Sequence, residues 1–476
     1  MKQTLLSLFV MLSLSALVSA QDKWSLERCI RESLDKSLLI KQYKLNKQGY
    51  DITGKQLRLE RLPNLNLNSN GGVSFGRVIN PATNDFVTEN SYYQSLGANS
   101  GVTVFNGFRL RNSIRQNDVY SDAADEDLHQ SQNDLALNVA LAYLNVLFSY
   151  ENLDIAQSRV DLSKGQLDNL DKMIAAGARP ENDRYDLLAQ VAVDEQGLVT
   201  AKNNIDINML SLKQQMWMEP DAPLDIERPE IKLEGLEPLE NQLFDAVYLA
   251  ALSTQPSIHA GELRQKASEL GVDIARAQAM PSLTIGGDIG TNWSDFEKEV
   301  TGYTLLRLPQ EGVYINGEPA TFEVESEYPS TYRTIPYLTQ LDNHLGYGVG
   351  ATLSIPIFNN YAAKANIEKA KINVINSGIE FDKTKQTLKT NIENALTAAK
   401  AAKKSLEAAE ATSLAARVAL DNATRKAELG ALNNLEYLNA RNRSDTAENN
   451  LLIARYDYYF KIKVIEYYMG RGIQLN

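Results

Sequence analysis

Between Asn64 and Phe75 the chain alternates with a period of two. The odd positions read Leu65, Leu67, Ser69, Gly71, Val73 and Phe75, and the even ones Asn64, Asn66, Asn68, Asn70, Gly72 and Ser74. One face is apolar and the other polar, as in a β-strand whose successive side chains point to opposite sides. The same period recurs in Leu96, Ala98, Val102 and Val104; in Leu283, Ile285, Ile289 and Trp293; and in Leu345, Tyr347, Val349, Ala351, Leu353 and Ile355. Each segment is long enough for the roughly 9–11 residues of a tilted membrane strand. A half-buried soluble sheet shows the same alternation. Two features favour the membrane: the polar positions are Asn, Ser, Thr and Gly with little charge, as suits a water-filled lumen, and the segments follow a secretory leader described below. On this reading Leu65, Leu67, Val73, Phe75, Leu283, Ile285, Val349, Leu353 and Ile355 face lipid, with Asn66, Asn68, Thr284 and Thr352 facing the lumen. Four strands cannot close, since outer-membrane barrels start at about eight. The strands must be pooled among identical chains.

Between the strands the period changes to that of helices. Leu26, Ile30, Leu34, Leu38 and Leu45 predict a helix from about Trp24 to Arg61, stopped before Pro63, which cannot continue the hydrogen-bond ladder. A counterpart runs from about Leu243 to Ala279 and stops before Pro281. Two long helices are predicted, Arg109 to Ala175 and Ala362 to Glu428, each about 100 Å at roughly 1.5 Å per residue. In the first, a seam through Leu128, Leu135, Val139, Ala142, Val146, Ser149, Leu153, Ala156, Val160, Ser163, Leu167, Leu170 and Ile174 has a period near 3.5, which favours left-handed supercoiling. In the second, Ala408, Ala409, Ala411, Ala415 and Ala416 thin the surface so that neighbours can approach. Gly177 and Gly430 then mark reversals into closing helices, about Glu181 to Met218 and Ala431 to Tyr468, because glycine takes a left-handed backbone without steric cost.

These elements repeat. Arg61-Leu62-Pro63-Asn64-Leu65 lies over Ala279-Met280-Pro281-Ser282-Leu283 at an offset of 218, and Val104-Phe105-Asn106 lies over Ile357-Phe358-Asn359 at an offset of 253 that holds without a gap to Gly177 and Gly430. The difference is an insertion in the second half, from about Ser294 to Asn343, against Arg77 to Ser91 in the first. It reads either as a tolerated surface insertion or as a lid or receptor surface built on Tyr303, Tyr314, Tyr328, Tyr332 and Tyr337. The domain plan is a leader over 1–20, a first repeat over 21–219, a connector over 220–242 broken by Pro220, Pro223, Pro229 and Pro238, and a second repeat over 243–476.

Composition narrows the function. Lys2, the apolar stretch Leu5 to Leu17 and Val18-Ser19-Ala20 read as a cleaved secretory leader. The only cysteine, Cys29, excludes an intrachain disulfide, lies too far past Ala20 to carry a lipid, and fits a buried helix position. A net charge of −12 makes nucleic acid a poor partner. Beyond the leader no run approaches the roughly 18 apolar residues of a spanning helix. The three histidines, His129, His259 and His344, are scattered, and no metal, nucleophile or phosphate-loop spacing is present, so no cofactor and no enzymatic role are expected.

Taken together, the duplicated plan, Leu62-Pro63-Asn64-Leu65 and Met280-Pro281-Ser282-Leu283 at strand entry, Val104-Phe105-Asn106-Gly107-Phe108-Arg109 and Pro356-Ile357-Phe358-Asn359 at strand exit, and Gly177 with Asp183 and Gly430 with Glu436, resemble the TolC family of outer-membrane channel-tunnel proteins. The resemblance implies an α+β membrane protein with four membrane strands per chain. It further implies a homotrimer with a 12-stranded barrel in outer-membrane lipid, continuous with a long α-helical periplasmic barrel. Its partners would be a periplasmic adaptor protein and an inner-membrane pump. It would serve as passive exit duct of a tripartite efflux pump, or alternatively of a type I protein secretion system. A coiled-coil surface adhesin and a secreted enzyme or sugar-binding protein are rivals from other classes. In the family, acids six and nine positions after the tip glycine narrow the periplasmic entrance. Here these are Asp183 and Asp186 after Gly177, but Glu436 and Asn439 after Gly430, and the basic residue two after the glycine is present only as Arg179. The charge constellation is redistributed between halves, so the expected gate is Asp183, Asp186 and Glu436, with Arg179 paired to one of them.

Overall fold

The computed structural model describes residues 23–79, 86–229, 237–429, 431–432 and 434–471. The leader call and Gly430 lie outside the described residues, as does part of the connector. The chain divides into two compact units, each drawing on both halves of the sequence. One takes the residues up to Asp51, Asp118–Ala267 and those from Val374 on; the other takes Ile52–Asn117 and Ser268–Asn373.

The first helical segment is two helices, α1 (Leu26–Lys36) and α2 (Leu38–Leu59), where the apolar period predicts one. Ser25 caps α1, its hydroxyl accepting from the Arg28 N–H at 3.3 Å. Ser37 breaks the run: its backbone leaves the helical region at ψ 123°, its N–H donates to the Ser33 carbonyl, and its hydroxyl accepts from the Ile40 N–H. The counterpart breaks at the equivalent place, between α5 (Phe244–Thr254) and α6 (Pro256–Arg276). There Gln255 precedes Pro256, whose ring drives the preceding residue out of the helical region (ψ 119°) and which starts the next helix well.

The strands β1 (Asn64–Ser74), β4 (Ser91–Asn106), β5 (Ser282–Ser294) and β8 (Gly346–Ser354) form one antiparallel sheet in the order β1-β4-β5-β8. Two hairpins project from it: a short one of β2 (Arg77–Ile79) and β3 (Phe86–Thr88), and a long one of β6 (Lys298–Ile315) and β7 (Glu318–Thr334), followed by the short helix α7 (Tyr337–Asn343). One alternation call needs correction. The register shifts between Thr103 and Phe105, so Val104 bulges out of the pairing and Phe105, not Val104, stands opposite Leu283.

The long helices α3 (Arg109–Ala175) and α8 (Ala362–Glu428) have the expected bounds. Each starts from two successive left-handed residues, Gly107 (φ 63°) and Phe108 (φ 64°) in the first half, Asn360 (φ 51°) and Tyr361 (φ 68°) in the second. Asn106 and Asn359 cap the turns, accepting from the N–H of Leu110 at 3.2 Å and of Ala363 at 3.4 Å. Gly107 has no alternative, because a Cβ there would lie 2.6 Å from the Met280 Cβ and 3.0 Å from the Ala277 carbonyl. The seam residues of α3 are all buried or half-buried. The closing helices are α4 (Asp183–Gln215) and α9 (Asn434–Tyr468).

Two apolar cores hold the helical unit. One gathers Cys29, Val139, Tyr143, Val146, Leu212 and Ile226, and the Tyr143 hydroxyl donates to the Trp24 and Glu227 carbonyls, pinning a short parallel bridge of Trp24 with Ile226. Cys29 is fully buried there, and burial pushes its thiol pKa up to about 12, which makes it an inert packing residue. The other core gathers Val247, Ile258, Ile392, Leu396, Ala399 and Ile462.

Below the cores a charged cluster ties α9 to α3 and α4. Arg441 is fully buried and donates to Gln166 Oε1, the Arg159 carbonyl and Asp194 Oδ2, each at 3.1 Å, while its Nε lies 3.8 Å from Asp445 Oδ2. Arg159 adds a 2.6 Å bond to the Asp445 carbonyl. Burial raises the Asp445 pKa, and Arg159 and Arg441 oppose it. Removing one partner leaves buried charge uncompensated, so Arg441→Met should cost about 3–5 kcal/mol and Arg441→Lys less. The measurement is the thermal midpoint followed by helical circular dichroism; an unchanged midpoint for Arg441→Met would show that the cluster carries no such coupling.

Candidate functional site

The first candidate surface is the polar face of the four-stranded sheet. Directly opposed residues of antiparallel strands share a face, and the registers carry one alternation across all four strands. Leu67 stands beside Ala98, Ile289 and Tyr347 in one row, and Asn66 beside Asn99, Asp288 and Gly348 in the next. The apolar face therefore holds Leu65, Leu67, Val73, Leu283, Ile285, Val349 and Leu353, while Phe75 and Ile355 lie just beyond their strands. Leu67 and Val349 are 82% and 87% exposed in the single chain. Soluble folds do not leave such an apolar face to water.

The other face is Asn, Ser, Thr and Gly, with Asn66, Asn68, Thr284 and Thr352 upon it. Asn68 donates to Asn99 Oδ1 at 3.0 Å, and Asn64 Oδ1 accepts from the Gly101 N–H at 2.8 Å. Gly97, Gly101, Gly286, Gly290, Gly346 and Gly350 surround Asp288 in these registers, leaving its carboxylate above bare backbone. Asp288 is the one charged side chain on this face among the described strand residues. The reading of the sequence passed over it, although its even position in a strand with apolar odd positions was visible.

The second candidate surface is the helix tip. Gly177 (φ 76°) ends α3, and the Ala178 N–H donates to the Met173 carbonyl at 2.9 Å, satisfying a carbonyl the helix leaves open. The same bond recurs in the second half, from the Ala431 N–H to the Lys426 carbonyl at 2.9 Å. Asp183 and Asp186 fall in the first turn of α4 and Glu436 in that of α9, where the helix dipole favours acids.

Arg179 Nη1 lies 3.7 Å from Asp183 Oδ2, and Arg184 Nε donates to Asp171 Oδ1 at 2.8 Å, bracing α4 on α3. Arg179 and Asp183 line a groove of about 230 Å³ with Met173, Leu187, Thr424 and Tyr437, so this pair meets the tip of the other half. Glu436 and Asn439 instead line a different groove, of about 1080 Å³, with Ala411, Ala415, Ala416 and Arg443. The structure thus brings Arg179 to Asp183, whereas Asp183 and Glu436 of one chain face different grooves.

The junction residues Pro63, Phe105, Asn106, Gly107, Pro281, Pro356, Phe358 and Asn359 stand where strands pass into helices, with Phe358 83% exposed and Phe105 edge-on to Phe108 at 5.3 Å. Among the described residues no group of His, Cys, Asp and Glu is placed to hold a metal ion, and no helix is long and apolar enough to cross a membrane.

Several solved channels have this fold. CusC superposes with a TM-score of 0.73 at 16% identity, covering 96% of this chain and 93% of that one. VceC of Vibrio cholerae gives 0.71 at 17%, covering 94% and 97%, and the open state of MtrE of Neisseria gonorrhoeae gives 0.68 at 19%, covering 94% and 89%. No curated protein matches by sequence. The family described as outer membrane efflux protein matches residues 30–216 and 247–463, one span in each half. This match covers most of the chain, which belongs to the outer membrane efflux protein family and is a protein of the outer membrane.

Proposed function

We propose that three copies of this chain form the passive exit duct of a tripartite efflux pump, docked through the helical tips to a periplasmic adaptor and an inner-membrane pump. The observation that carries this reading is the sheet: one face apolar, the other polar with a single acid, and both outer strands without a partner in the chain. In hydrocarbon every backbone group must be bonded, so an open edge requires closure, and three copies supply twelve strands. The duplicated domain plan, repeats over 21–219 and 243–476 about a connector over 220–242, belongs to this proposal. Each repeat then contributes two of the four strands and one long helix.

On this account Leu65, Leu67, Val349 and Leu353 meet lipid and Asn66, Asn68 and Asp288 meet water. Lysine at Leu67 or Val349 should lower stability by about 2–4 kcal/mol when placed near mid-bilayer, whereas Asn68→Ser should be mild. Spin labels on purified protein in bilayers check the placement. A label at position 67 should be relaxed by oxygen and one at 66 by a water-soluble nickel chelate, and the reverse pattern would overturn the assignment.

The gate lies at the tips, where Asp183, Asp186 and Glu436 repeat threefold and Arg179 pairs with Asp183 in the closed state. Gly177 and Gly430 supply the reversals, and Asn439 takes the place of a second acid. Exposed pairs contribute only about 0–1 kcal/mol each, but like charges gathered about a narrow lumen concentrate cations. In single-channel recording, neutralising Asp183, Asp186 and Glu436 together should weaken cation selectivity and block by multivalent cations, and Arg179→Ala should raise conductance. Selectivity unaltered in the triple variant would remove the gate from these residues. Asp288→Asn provides the contrast, lowering cation preference without changing block from the periplasmic side.

A further inference from the structure

The β6–β7 hairpin is an arm with two unlike faces. Register places Thr304, Leu306, Leu308 and Gln310 beside Tyr328, Ser326, Val324 and Phe322, a face with no charge. The opposite face sets Tyr303, Leu305, Arg307 and Pro309 beside Pro329, Glu327, Glu325 and Glu323, with Arg307 bonded to Glu325. Leu306, Leu308, Phe322 and Tyr328 are between 40% and 46% exposed on a ribbon that pairs with no other strand of the chain. The tyrosine surface expected from the sequence does not form. Tyr303 and Tyr328 point to opposite faces, and Tyr337 sits on α7, its hydroxyl donating to Gln94 Oε1 at 2.8 Å.

A two-stranded ribbon is marginal in water by itself, and one with an open apolar face more so. Yet this one is firmly rooted. Gln340, fully buried, donates to the Ser294 and Ile335 carbonyls and accepts from the Ser294 N–H, Thr291 donates to the Leu341 carbonyl, and His344 bridges the Asn292 carbonyl and Glu297. A rooted arm holds its apolar face in a set direction.

We propose that this uncharged face packs against the same face of the other two copies, so that three ribbons clasp one another beyond the barrel. The proposal rests on the trimeric reading above. Two observations select a second copy of this chain as the occupant. The arm is inserted immediately before β8, the outer strand whose free edge must meet β1 of a neighbouring copy, so neighbouring arms rise from the seams between copies. Charge also chooses the face: contact through Glu323, Glu325 and Glu327 would set acids against acids, whereas contact through Leu306, Leu308, Phe322 and Val324 turns every acid outward.

Cysteine linking of the full-length protein in outer membranes tests this, with Cys29 fully buried and so silent. Leu308→Cys, and separately Leu306→Cys, treated with a short bis-maleimide, should shift most of the chain from monomer to dimer on a denaturing gel. Glu325→Cys, on the opposite face, should remain monomeric while reacting with a monofunctional maleimide. Free labelling of positions 306 and 308 without linking would overturn the clasp. So would protection of both positions without linking, which would assign the face to another occupant. Light scattering in detergent separates the levels: a trimer without links refutes the clasp alone, and a monomer refutes the trimeric reading with it.

Discussion

A bilayer interior contains no water to bond a peptide group, so a strand edge there must be paired. Each chain supplies a sheet with two such edges, β1 and β8. Most of the remaining structure follows from this condition. The alternation of apolar and polar residues must hold in register across all four strands, because a slip of one residue would turn every side chain to the wrong side. It does hold, and the single bulge at Val104 sits at the end of β4, where the strand passes into α3.

The transition from strand to helix is the second constraint. A strand that leaves the sheet and enters a helix within two residues needs a backbone that ordinary side chains resist, and both halves use a left-handed pair with an asparagine cap. Gly107 is held to glycine by the Met280 and Ala277 backbone, while Asn360 tolerates the same conformation with a side chain. A residue's place in the duplicated plan thus decides its backbone more firmly than its own identity does.

The long helices were legible in the sequence because they are punctuated at both ends, by Asn106-Gly107 or Asn359-Asn360 at the start and by a glycine turn at the first tip. The sheet faces were legible because period two is unambiguous over ten residues. The breaks at Ser37 and Gln255 were not, since the apolar period runs through both. Only Pro256 signalled the second, and nothing comparable marks the first. Arg441 could not be read as buried: a lone arginine on a charged helix looks solvated until three helices converge on it. In the inserted segment Pro309, Pro329 and the register shifts near Gly302 obscured the alternation, so its tyrosines looked like one surface when they occupy two.

The central claim is that β1 of one copy pairs with β8 of the next. It is tested most directly by placing one cysteine in β1 at position 68 and a second at successive positions from 346 to 354, then oxidising the protein in its membrane. The account predicts that one register, and its neighbours two residues away more weakly, closes a ring of three chains that migrates as a covalent trimer without reductant and as monomer with it. Chains that stay monomeric at every register, with both edges open to a water-soluble thiol reagent, would contradict it.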